Sequence, residues 1–341
     1  MTLPLPPTWV RRPFALLVIV GLFAVVTLLP LLVLLAIGLS AIVPGRWRVL
    51  RLLAFAFVYL LLEVAGIAVA FVLWVVSGFG WKLRSPLFQR AHYAVLHGLL
   101  KEVLLTARVL FHLEIVDDDV SWSPLDDGVP GSTNAMVVLS RHAGPGDSLL
   151  LVRTLMDRDH LRRPRIVLKD TLQWDPLLDV YLNRLPNAFL TSGGKDMARR
   201  VAALAEGLGD EDALLIFPEG GNFTPGRRRK AIDRLRGKGM LEQAERAEEM
   251  RNVLPPRPGG VAAALAAAPH ADVVFVAHTG LEHLSTAADL WDGLPMDSTV
   301  RLRWWFVPAG EVPREPEAQE EWLYERWAEL DRWIAAHQPA A

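Results

Sequence analysis

The chain has 341 residues, with 36 Lys and Arg against 38 Asp and Glu and a formal net charge of −2. This balance excludes a protein-wide attraction to nucleic acid, and the lack of cysteine excludes disulfides, thiolate catalysis and cysteine-ligated metals. The hydrophobic fraction of 52% is high for a soluble protein, and the excess lies near the N-terminus.

Two apolar runs occupy the N-terminal part of the chain. Residues 14–43 contain no charged side chain, and residues 52–77 contain Glu63 as their single charge. Each run exceeds the roughly 20 helical residues that cross a bilayer core, and Pro30 is expected to kink the first. A cleaved signal peptide is the alternative, but its apolar region spans about 7–15 residues. We therefore expect a membrane-anchoring helical hairpin over residues 1–85, with its depth in the bilayer left open.

Strand-like and helical segments alternate after residue 86. Apolar spacing predicts a helix over 87–110. The following segments are predicted as strands at 111–116, 135–140, 165–169, 213–217, 273–278 and 301–307, and as helices near 148–158, 176–184, 194–208, 228–250 and 316–336. Such alternation is typical of an α/β domain with a largely parallel or mixed sheet flanked by helices. We expect this domain over 86–333 and an unstructured C-terminal tail over 334–341.

A histidine stands at the end of one predicted strand, in the segment SRHAGPGDSLL. In sheets of this kind, sites lie beyond the carboxyl ends of strands, which is where His142 is expected. The Gly-Pro-Gly turn that follows allows Asp147 to fold back onto one ring nitrogen. The carboxylate would then fix the tautomer and leave the other nitrogen free to accept a proton. A purely structural histidine is the alternative on this segment alone.

A second polar segment, LLIFPEGGNFTPGRRRK, ends another predicted strand. Glu219 lies between a proline and two glycines, where it is suited to accept a hydrogen bond from a substrate hydroxyl or to position a base. Four basic residues follow and are suited to hold an anionic headgroup, the arginines by bidentate bonding: Arg227, Arg228, Arg229 and Lys230. A solvated basic helix start is the alternative for any one of them.

Together the two segments resemble the lysophospholipid (1-acylglycerol-3-phosphate) acyltransferase family, the PlsC-like acyltransferases. The motifs that carry the resemblance are His-x4-Asp after one strand and Phe-Pro-Glu-Gly after a later one. FPEGGNFTPGRRRK followed by NVLPPRPGG (252–260) is similar to the branch in which Phe-Pro-Glu-Gly-Thr-Arg-Phe-Thr precedes a Leu-Pro-Arg-x-x-Gly segment. The resemblance covers roughly residues 90–290, and a hydrophobic N-terminal anchor is also typical of the family.

This resemblance implies a glycerolipid acyltransferase-like fold and the transfer of a fatty acyl group to a lysophospholipid hydroxyl. His142 would deprotonate the hydroxyl with Asp147 orienting it, and Glu219 and Gly220 would help seat the acceptor. Acyl-CoA or acyl-carrier protein is implied as co-substrate, with no metal or bound cofactor. The expected partners are membrane lipids and the acyl donor, and the expected location is the cytoplasmic face of the cell membrane.

The sequence also departs from the family pattern. Gly221-Asn222 replaces the usual Thr-Arg, whose arginine is expected to contact the acceptor phosphate, so phosphatidate synthesis is specifically in doubt. Arg257 or the 227–230 cluster is a possible substitute, and Arg141, which replaces the usual Asn, is a further phosphate-binding candidate. In LKDTLQWDP, Lys169 and Leu172 match a Lys-x-x-Leu element and are expected to line the site. These changes suggest an acceptor with a larger headgroup.

Three other functions stay open. A metal site has suitable residue types but no spacing typical of a metal motif, its candidate ligands being His142, Asp147, His278, Glu282 and His283. A serine hydrolase using Ser140 or Ser148 lacks the Gly-x-Ser-x-Gly elbow. A non-catalytic lipid-binding or assembly module that keeps the fold would explain the altered Gly221-Asn222, but it has no need of His142, Asp147 and Glu219 together.

Overall fold

The computed structural model describes residues 7–27, 30–42, 47–117, 134–144, 146–157, 162–190, 197–281 and 291–338. The chain divides into two compact units. The first, here the helical unit, consists of Met1–Leu113, Leu168–Gly193 and Trp291–Asp297. The second, here the sheet unit, consists of Glu114–Val167, Gly194–Leu290 and Ser298–Ala341. This division differs from the predicted boundary at residue 86.

The described elements, in chain order, are α1 (Thr8–Thr27), α2 (Pro30–Ile42), α3 (Arg48–Val76), α4 (Pro86–Phe111), β1 (Leu113–Asp117), β2 (Met136–Ser140), α5 (Asp147–Asp157), β3 (Arg163–Lys169), α6 (Pro176–Arg184), β4 (Ala188–Leu190), α7 (Met197–Ala205), β5 (Asp212–Ile216), α8 (Pro225–Gly237), α9 (Leu241–Glu249), α10 (Pro258–Ala267), β6 (Asp272–Thr279), β7 (Ser298–Val307) and α11 (Pro316–His337). Short 3₁₀ helices lie at Asp170–Trp174 and Ala309–Glu311.

In the helical unit, α3 is long and apolar enough to cross a membrane by its length and composition. It corresponds to the second predicted apolar run. The first run, predicted as one kinked helix, falls on α1, which ends at Thr27, and on α2, which begins at Pro30; residues 28–29 are not described. Proline fits the first position of a helix, where its missing N–H leaves no hydrogen bond unmade.

Close packing joins α3, α4 and α6 inside the helical unit. A side chain at Gly66 would place its Cβ only 2.4 Å from a methyl carbon of Leu177, so a larger residue would require the Leu177 side chain to move. Tyr181 donates a 2.9 Å hydrogen bond to the Gly66 carbonyl. The one carboxylate of α3, Glu63, is buried and interacts with Asp175 at the start of α6. Because α4 packs on α3, it belongs with the N-terminal helices rather than with the sheet unit.

The seven strands form one mixed sheet in the order β1-β7-β6-β2-β5-β3-β4. Strand β2 pairs in parallel with both β5 and β6, and β3 pairs in parallel with β5, whereas β7 runs antiparallel to β6. Every residue of β2, β5 and β6 is buried, as expected for parallel strands covered on both faces by helices. The predicted α/β class with a mixed sheet flanked by helices is confirmed.

The helices of the sheet unit explain two further differences from the sequence. The predicted tail is wrong at its start, because α11 continues to His337 and fully buries Ile334. The charged stretch 228–250 forms two helices, α8 and α9, since the chain turns at Gly239 with a φ of 76° that glycine adopts readily. Sequence patterning also missed the three-residue β4 and the alanine-rich α10.

Candidate active site

Two loops of the sheet unit leave the carboxyl ends of adjacent parallel strands. The loop after β2 carries His142, and the loop after β5 carries Glu219. Since Leu139 of β2 pairs with Ile216 of β5, the two loops begin at the same level of the sheet. The Phe223 N–H donates a 2.7 Å hydrogen bond to the His142 carbonyl and ties the loops together. The two sequence motifs are therefore neighbours in space.

His142 and Asp147 form a direct hydrogen bond. Nδ1 of His142 lies 2.7 Å from Oδ2 of Asp147. An ionised carboxylate only accepts hydrogen bonds, so Nδ1 carries the proton and Nε2 of the neutral ring keeps a lone pair. Nε2 has no hydrogen-bond partner among the described residues, and the His142 side chain is 17% exposed. The pair is thus oriented as a general base requires.

The Asp147 carboxylate is fixed by the backbone around it. Oδ2 also accepts hydrogen bonds from the N–H groups of Ala143 (2.9 Å) and Gly144 (3.2 Å), and Oδ1 accepts one from Ser148 N–H (2.6 Å). Burial by itself raises the pKa of Asp147, but the hydrogen bond from His142, the interaction with His278 and these N–H groups outweigh burial and leave the pKa below its usual value. The carboxylate therefore stays ionised beside His142.

The imidazole of His142 is held on its other side by an aromatic ring. Phe217, which follows β5, lies with its ring centroid 4.6 Å from that of His142 and its plane tilted by 31°. This contact restricts rotation of the imidazole, while the Asp147 hydrogen bond fixes its direction. Position and tautomer of the candidate base are therefore both determined by the fold.

Glu219 lies inside the protein, behind His142. It is 1% exposed, and burial raises its pKa to about 8. The positive charge of Arg141 and the backbone N–H groups of Leu254 and His142 act in the opposite direction without cancelling burial. Sequence reasoning expected Glu219 to seat the acceptor or to position a base, and both roles stay predictions for this buried carboxyl group.

Arg141 is also fully buried. Its guanidinium donates hydrogen bonds to the backbone carbonyls of His278 (2.7 Å) and Asn252 (3.1 Å). These bonds tie the loop after β2 to β6 and to the segment before α10. The predicted phosphate contact is at odds with this placement, because the guanidinium has no surface at which to meet a ligand.

Gly220 and Arg257 meet on the exposed side of the site. Gly220 has a φ of 67°, and a Cβ there would lie 2.8 Å from Nη1 of Arg257. The Arg257 N–H donates a 3.0 Å hydrogen bond to the Pro218 carbonyl, which places its side chain over the Glu219 loop. Partial burial and the nearby charge of Arg234 lower the pKa of Arg257. Two cations therefore lie close together, which favours binding of an anion.

Arg227 and Arg228, near the start of α8, have different surroundings. Arg227 is exposed, and its guanidinium donates a 3.0 Å hydrogen bond to the Asn222 carbonyl beside the glycine pair. Arg228 turns away and donates to the carbonyls of Ala247 (3.0 Å) and Glu248 (2.7 Å) at the end of α9. Both were predicted to bind substrate, but only Arg227 keeps its charge at the edge of the site.

Comparison with known proteins adds the family. A family model described as Acyltransferase matches residues 126–279. Residues 126–279 are therefore similar to the acyltransferase family. The resemblance that the two motifs carry is thereby confirmed at the family level, and the matched residues include both loops of the site.

One solved structure similar to this chain is the 1-acyl-sn-glycerophosphate (LPA) acyltransferase PlsC from Thermotoga maritima. The two share 17% sequence identity, with a TM-score of 0.47 over 84% of this chain and 100% of that chain. No curated protein matches the chain significantly.

The remaining predicted site residues lie in the helical unit, and two candidate ligands of the metal alternative lie outside the described residues. Lys169 is the exposed last residue of β3, and Leu172 is exposed in the following 3₁₀ helix. Glu282 and His283 fall in the segment 282–290, which the structure does not describe. In the ranges that are described, no group of three or more His, Cys, Asp or Glu side chains has an arrangement suited to a metal ion.

The two serines beside the histidine are engaged elsewhere. Ser140 is buried and donates to the Arg141 carbonyl (3.0 Å), and Ser148 donates to Oδ1 of Asp147 (3.2 Å). A serine nucleophile would instead have to donate its proton to His142. This arrangement gives no support to the serine hydrolase alternative.

Sequence reasoning missed one side chain of the acyltransferase site. His278 of β6 was considered only as a metal ligand, yet its Nε2 lies 3.8 Å from Oδ2 of Asp147. It follows the apolar run Val273–Ala277 of a buried strand, and a histidine at such a position is an unusual feature that can be recognised in the sequence.

Proposed function

We propose that this acyltransferase moves a fatty acyl group from an acyl thioester to the hydroxyl of a lysophospholipid such as 1-acylglycerol-3-phosphate. The observation that carries the proposal is the geometry of His142, whose Nδ1 is bound by the buried Asp147 while Nε2 keeps a free lone pair. This arrangement suits the removal of a proton from an alcohol.

The reaction needs no acyl-enzyme. Nε2 of His142 takes the proton of the acceptor hydroxyl as its oxygen attacks the thioester carbonyl carbon. The C–S bond then breaks, and the thiolate leaves with the proton returned from the imidazolium. The lack of cysteine and the engagement of both neighbouring serines with other groups support direct transfer. The acyl thioester, on CoA or on acyl-carrier protein, is a co-substrate rather than a bound cofactor.

Binding of an anionic headgroup is assigned to the exposed cations beside the Glu219 loop. Arg257 lies over Gly220, and Arg227 lies next to Gly221-Asn222, where the family pattern has Thr-Arg. Guanidinium groups bind phosphate through paired, charge-assisted hydrogen bonds. We expect a phosphate bound by Arg227 and Arg257, rather than by an arginine at position 222, to leave space beside Gly221-Asn222 for a larger headgroup.

Membrane association is proposed from the helical unit. Large apolar side chains are exposed on α1, α3 and the turn that follows α3, for example Trp9 (76%), Leu17 (71%) and Trp81 (86%). Exposed apolar surface of this extent is typical of proteins that contact lipid, and indoles favour the membrane interface. Both the acceptor and the product are lipids, so an enzyme held at the cell membrane meets them directly. Acyl thioesters are cytoplasmic, which favours the cytoplasmic face.

The function is tested with purified full-length protein in detergent micelles. Labelled acyl-CoA and acyl-carrier protein are each offered with a panel of lysophospholipids of different headgroups. The expected result is transfer to at least one acceptor and a loss of at least about 100-fold in His142→Ala. The exposed His270 of the same unit provides a matched control, since His270→Ala should keep the wild-type rate. Lipid binding without transfer from either donor would contradict the proposal and favour a non-catalytic lipid-binding module.

A further inference from the structure

We propose that His278 is a positioning residue that acts on the candidate base through Asp147. Its imidazole lies behind the Asp147 carboxylate and holds that carboxylate in the orientation that serves His142. This inference rests on the proposed function, because it concerns the rate and pH dependence of the same transfer reaction.

The sheet brings His278 next to the His142 loop. Strand β6 pairs in parallel with β2, with Ser140 opposite Val276, and the Arg141 N–H donates to the Val276 carbonyl at 3.3 Å. His278 lies two residues further along β6 and is fully buried. A buried imidazole is costly unless it is hydrogen-bonded, so its partners indicate what it does there.

Arg141 and His278 bind one another's backbone. The Arg141 guanidinium donates to the His278 carbonyl at 2.7 Å, and Nε2 of His278 lies 3.3 Å from the Arg141 carbonyl oxygen. A carbonyl oxygen only accepts, so Nε2 of His278 carries a proton. This reciprocal pair locks the first residue of the catalytic loop to β6, immediately before His142.

The same Nε2–H group faces Asp147. Its nitrogen lies 3.8 Å from Oδ2, the oxygen that binds Nδ1 of His142. This distance is too long for a hydrogen bond but short enough for a substantial electrostatic interaction where both side chains are about 1% exposed. Oδ2 therefore lies within 4 Å of two imidazoles, one buried and one partly exposed.

His278 acts through Asp147 because it has no surface with which to touch a substrate. Its positive N–H dipole makes the carboxylate less basic, and the Asp147 pKa is lowered in part by His278. The other polar groups around this carboxylate include His142, the N–H groups of Ala143, Gly144 and Ser148, the Ser148 hydroxyl, and Glu219, which interacts with Asp147 through its charge. Arg141 lies on the β2 side, and Arg301 and Arg303 flank Leu302, the partner of His278 on β7.

The test compares His278→Phe with the wild type in the acyl transfer assay. Phenylalanine keeps the ring and removes the N–H group. We expect kcat to fall about tenfold with KM within about twofold, because orientation of the base and not substrate binding is affected. Asp147 becomes more basic without this neighbour and holds the protonated His142 more strongly. The acid limb of the pH–rate profile should therefore move to higher pH, by about half a unit.

Two further variants separate positioning from packing. His278→Gln keeps an N–H donor near the Nε2 position and should restore most of kcat and the wild-type acid limb. His270→Phe makes the same chemical change at an exposed histidine and should change neither quantity. Equal losses in the Phe and Gln variants, or an unmoved acid limb in His278→Phe, would overturn the inference.

A spectroscopic measurement covers the case in which His278→Phe does not fold or the wild type shows no transfer. With ¹⁵N-labelled histidine, the His278 resonance should report a protonated Nε2 and should shift in Asp147→Asn, which removes the facing charge. An unchanged His278 resonance would refute the coupling. A shifted resonance without any acyl transfer would instead reject the proposed function and leave the coupling between His278 and Asp147 intact.

Discussion

The buried and exposed sides of the candidate active site are built differently. On the buried side, Arg141, Asp147, Glu219 and His278 interact mainly with backbone groups and with each other. On the exposed side, Arg257 lies over Gly220 with Arg234 as its charged neighbour. Arg141, Asp147 and His278 are bonded internally and set geometry, whereas Arg257 and Arg234 have no carboxylate partner among the described residues and are available to a ligand. The site thus separates positioning from binding.

The largest expected effect comes from the buried side. Asp147→Asn retains the size of the side chain, but the amide can present an N–H to His142 and no longer stabilises the imidazolium. We expect kcat to fall by about two to four orders of magnitude with KM little changed. Steady-state kinetics on folded protein measure both quantities. A parallel rise in KM would instead assign Asp147 to substrate binding.

The second expected effect is a dependence of the free energy of unfolding on pH, caused by Glu219. The pKa of Glu219 is about 8 in the folded protein against 4.5 as its ordinary value, so the folded chain keeps a proton that the unfolded chain releases. Stability should therefore fall as pH rises from about 4.5 to about 8, by at most about 1.4 kcal/mol per pH unit, and level off above.

Glu219→Gln removes this contribution. Denaturation midpoints of the variant and the wild type, measured in the same detergent at pH 5, 6, 7 and 8, should differ increasingly in favour of the variant. Other titrating groups are common to both proteins and cancel in the comparison. A constant difference across these pH values would mean that Glu219 is already ionised in the folded protein.

The third prediction concerns the role of Arg257 on the exposed side of the site. Arg257→Ala should raise KM for an anionic acceptor about tenfold, which corresponds to one charge-assisted hydrogen bond, and should leave the denaturation midpoint nearly unchanged. Kinetics with a charged and an uncharged acceptor check this. An equal KM change for both acceptors would exclude a role in recognising the charge.

Arg228→Ala is the control for Arg257→Ala, because Arg228 is expected to stabilise the fold and not to bind the acceptor. Its guanidinium bonds carbonyls at the end of α9, so its loss should lower the denaturation midpoint and leave KM near the wild-type value. If Arg228→Ala changed KM as much as Arg257→Ala, the assignment of these two cations to positioning and binding would be wrong.

The smallest effect is expected at Gly220. A left-handed conformation with φ of 67° costs a residue other than glycine about 1–2 kcal/mol. Gly220→Ala should lower the free energy of unfolding by that amount, and its Cβ should displace the flexible Arg257 and raise KM a few-fold. Chemical denaturation and kinetics measure the two effects. Unchanged values of both would show that the loop adapts without loss.

The sequence predicted the architecture better than the roles of individual side chains. The strands β2, β5 and β6 are buried on both faces, so each consists of a nearly continuous run of apolar residues that is easily recognised in the sequence. The positions of His142 and Glu219 after strands followed from the same pattern. Strand β4 has three residues and α10 begins with Pro-Gly-Gly, so neither carries enough periodicity to be recognised.

Burial of charged residues could not be predicted from the local sequence. Arg141 and Arg228 were predicted to bind ligand because they lie in the two motifs of the site. The carbonyls that they bind instead come from distant segments of the chain. Glu219 stands beside two glycines and basic residues, a local pattern that does not reveal its burial. His278 lies far from Asp147 in the sequence, and only the pairing of β6 with β2 brings them together.

The most direct test of the account is a double-mutant cycle on His142 and Asp147, measured as the rate of acyl transfer at saturating substrates. If Asp147 acts through His142, the double variant His142→Ala/Asp147→Asn should be no slower than His142→Ala alone. His142→Ala alone should lower the rate at least about 100-fold. Independent losses that add in the double variant, or transfer at the wild-type rate in His142→Ala, would contradict a His142 base oriented by Asp147.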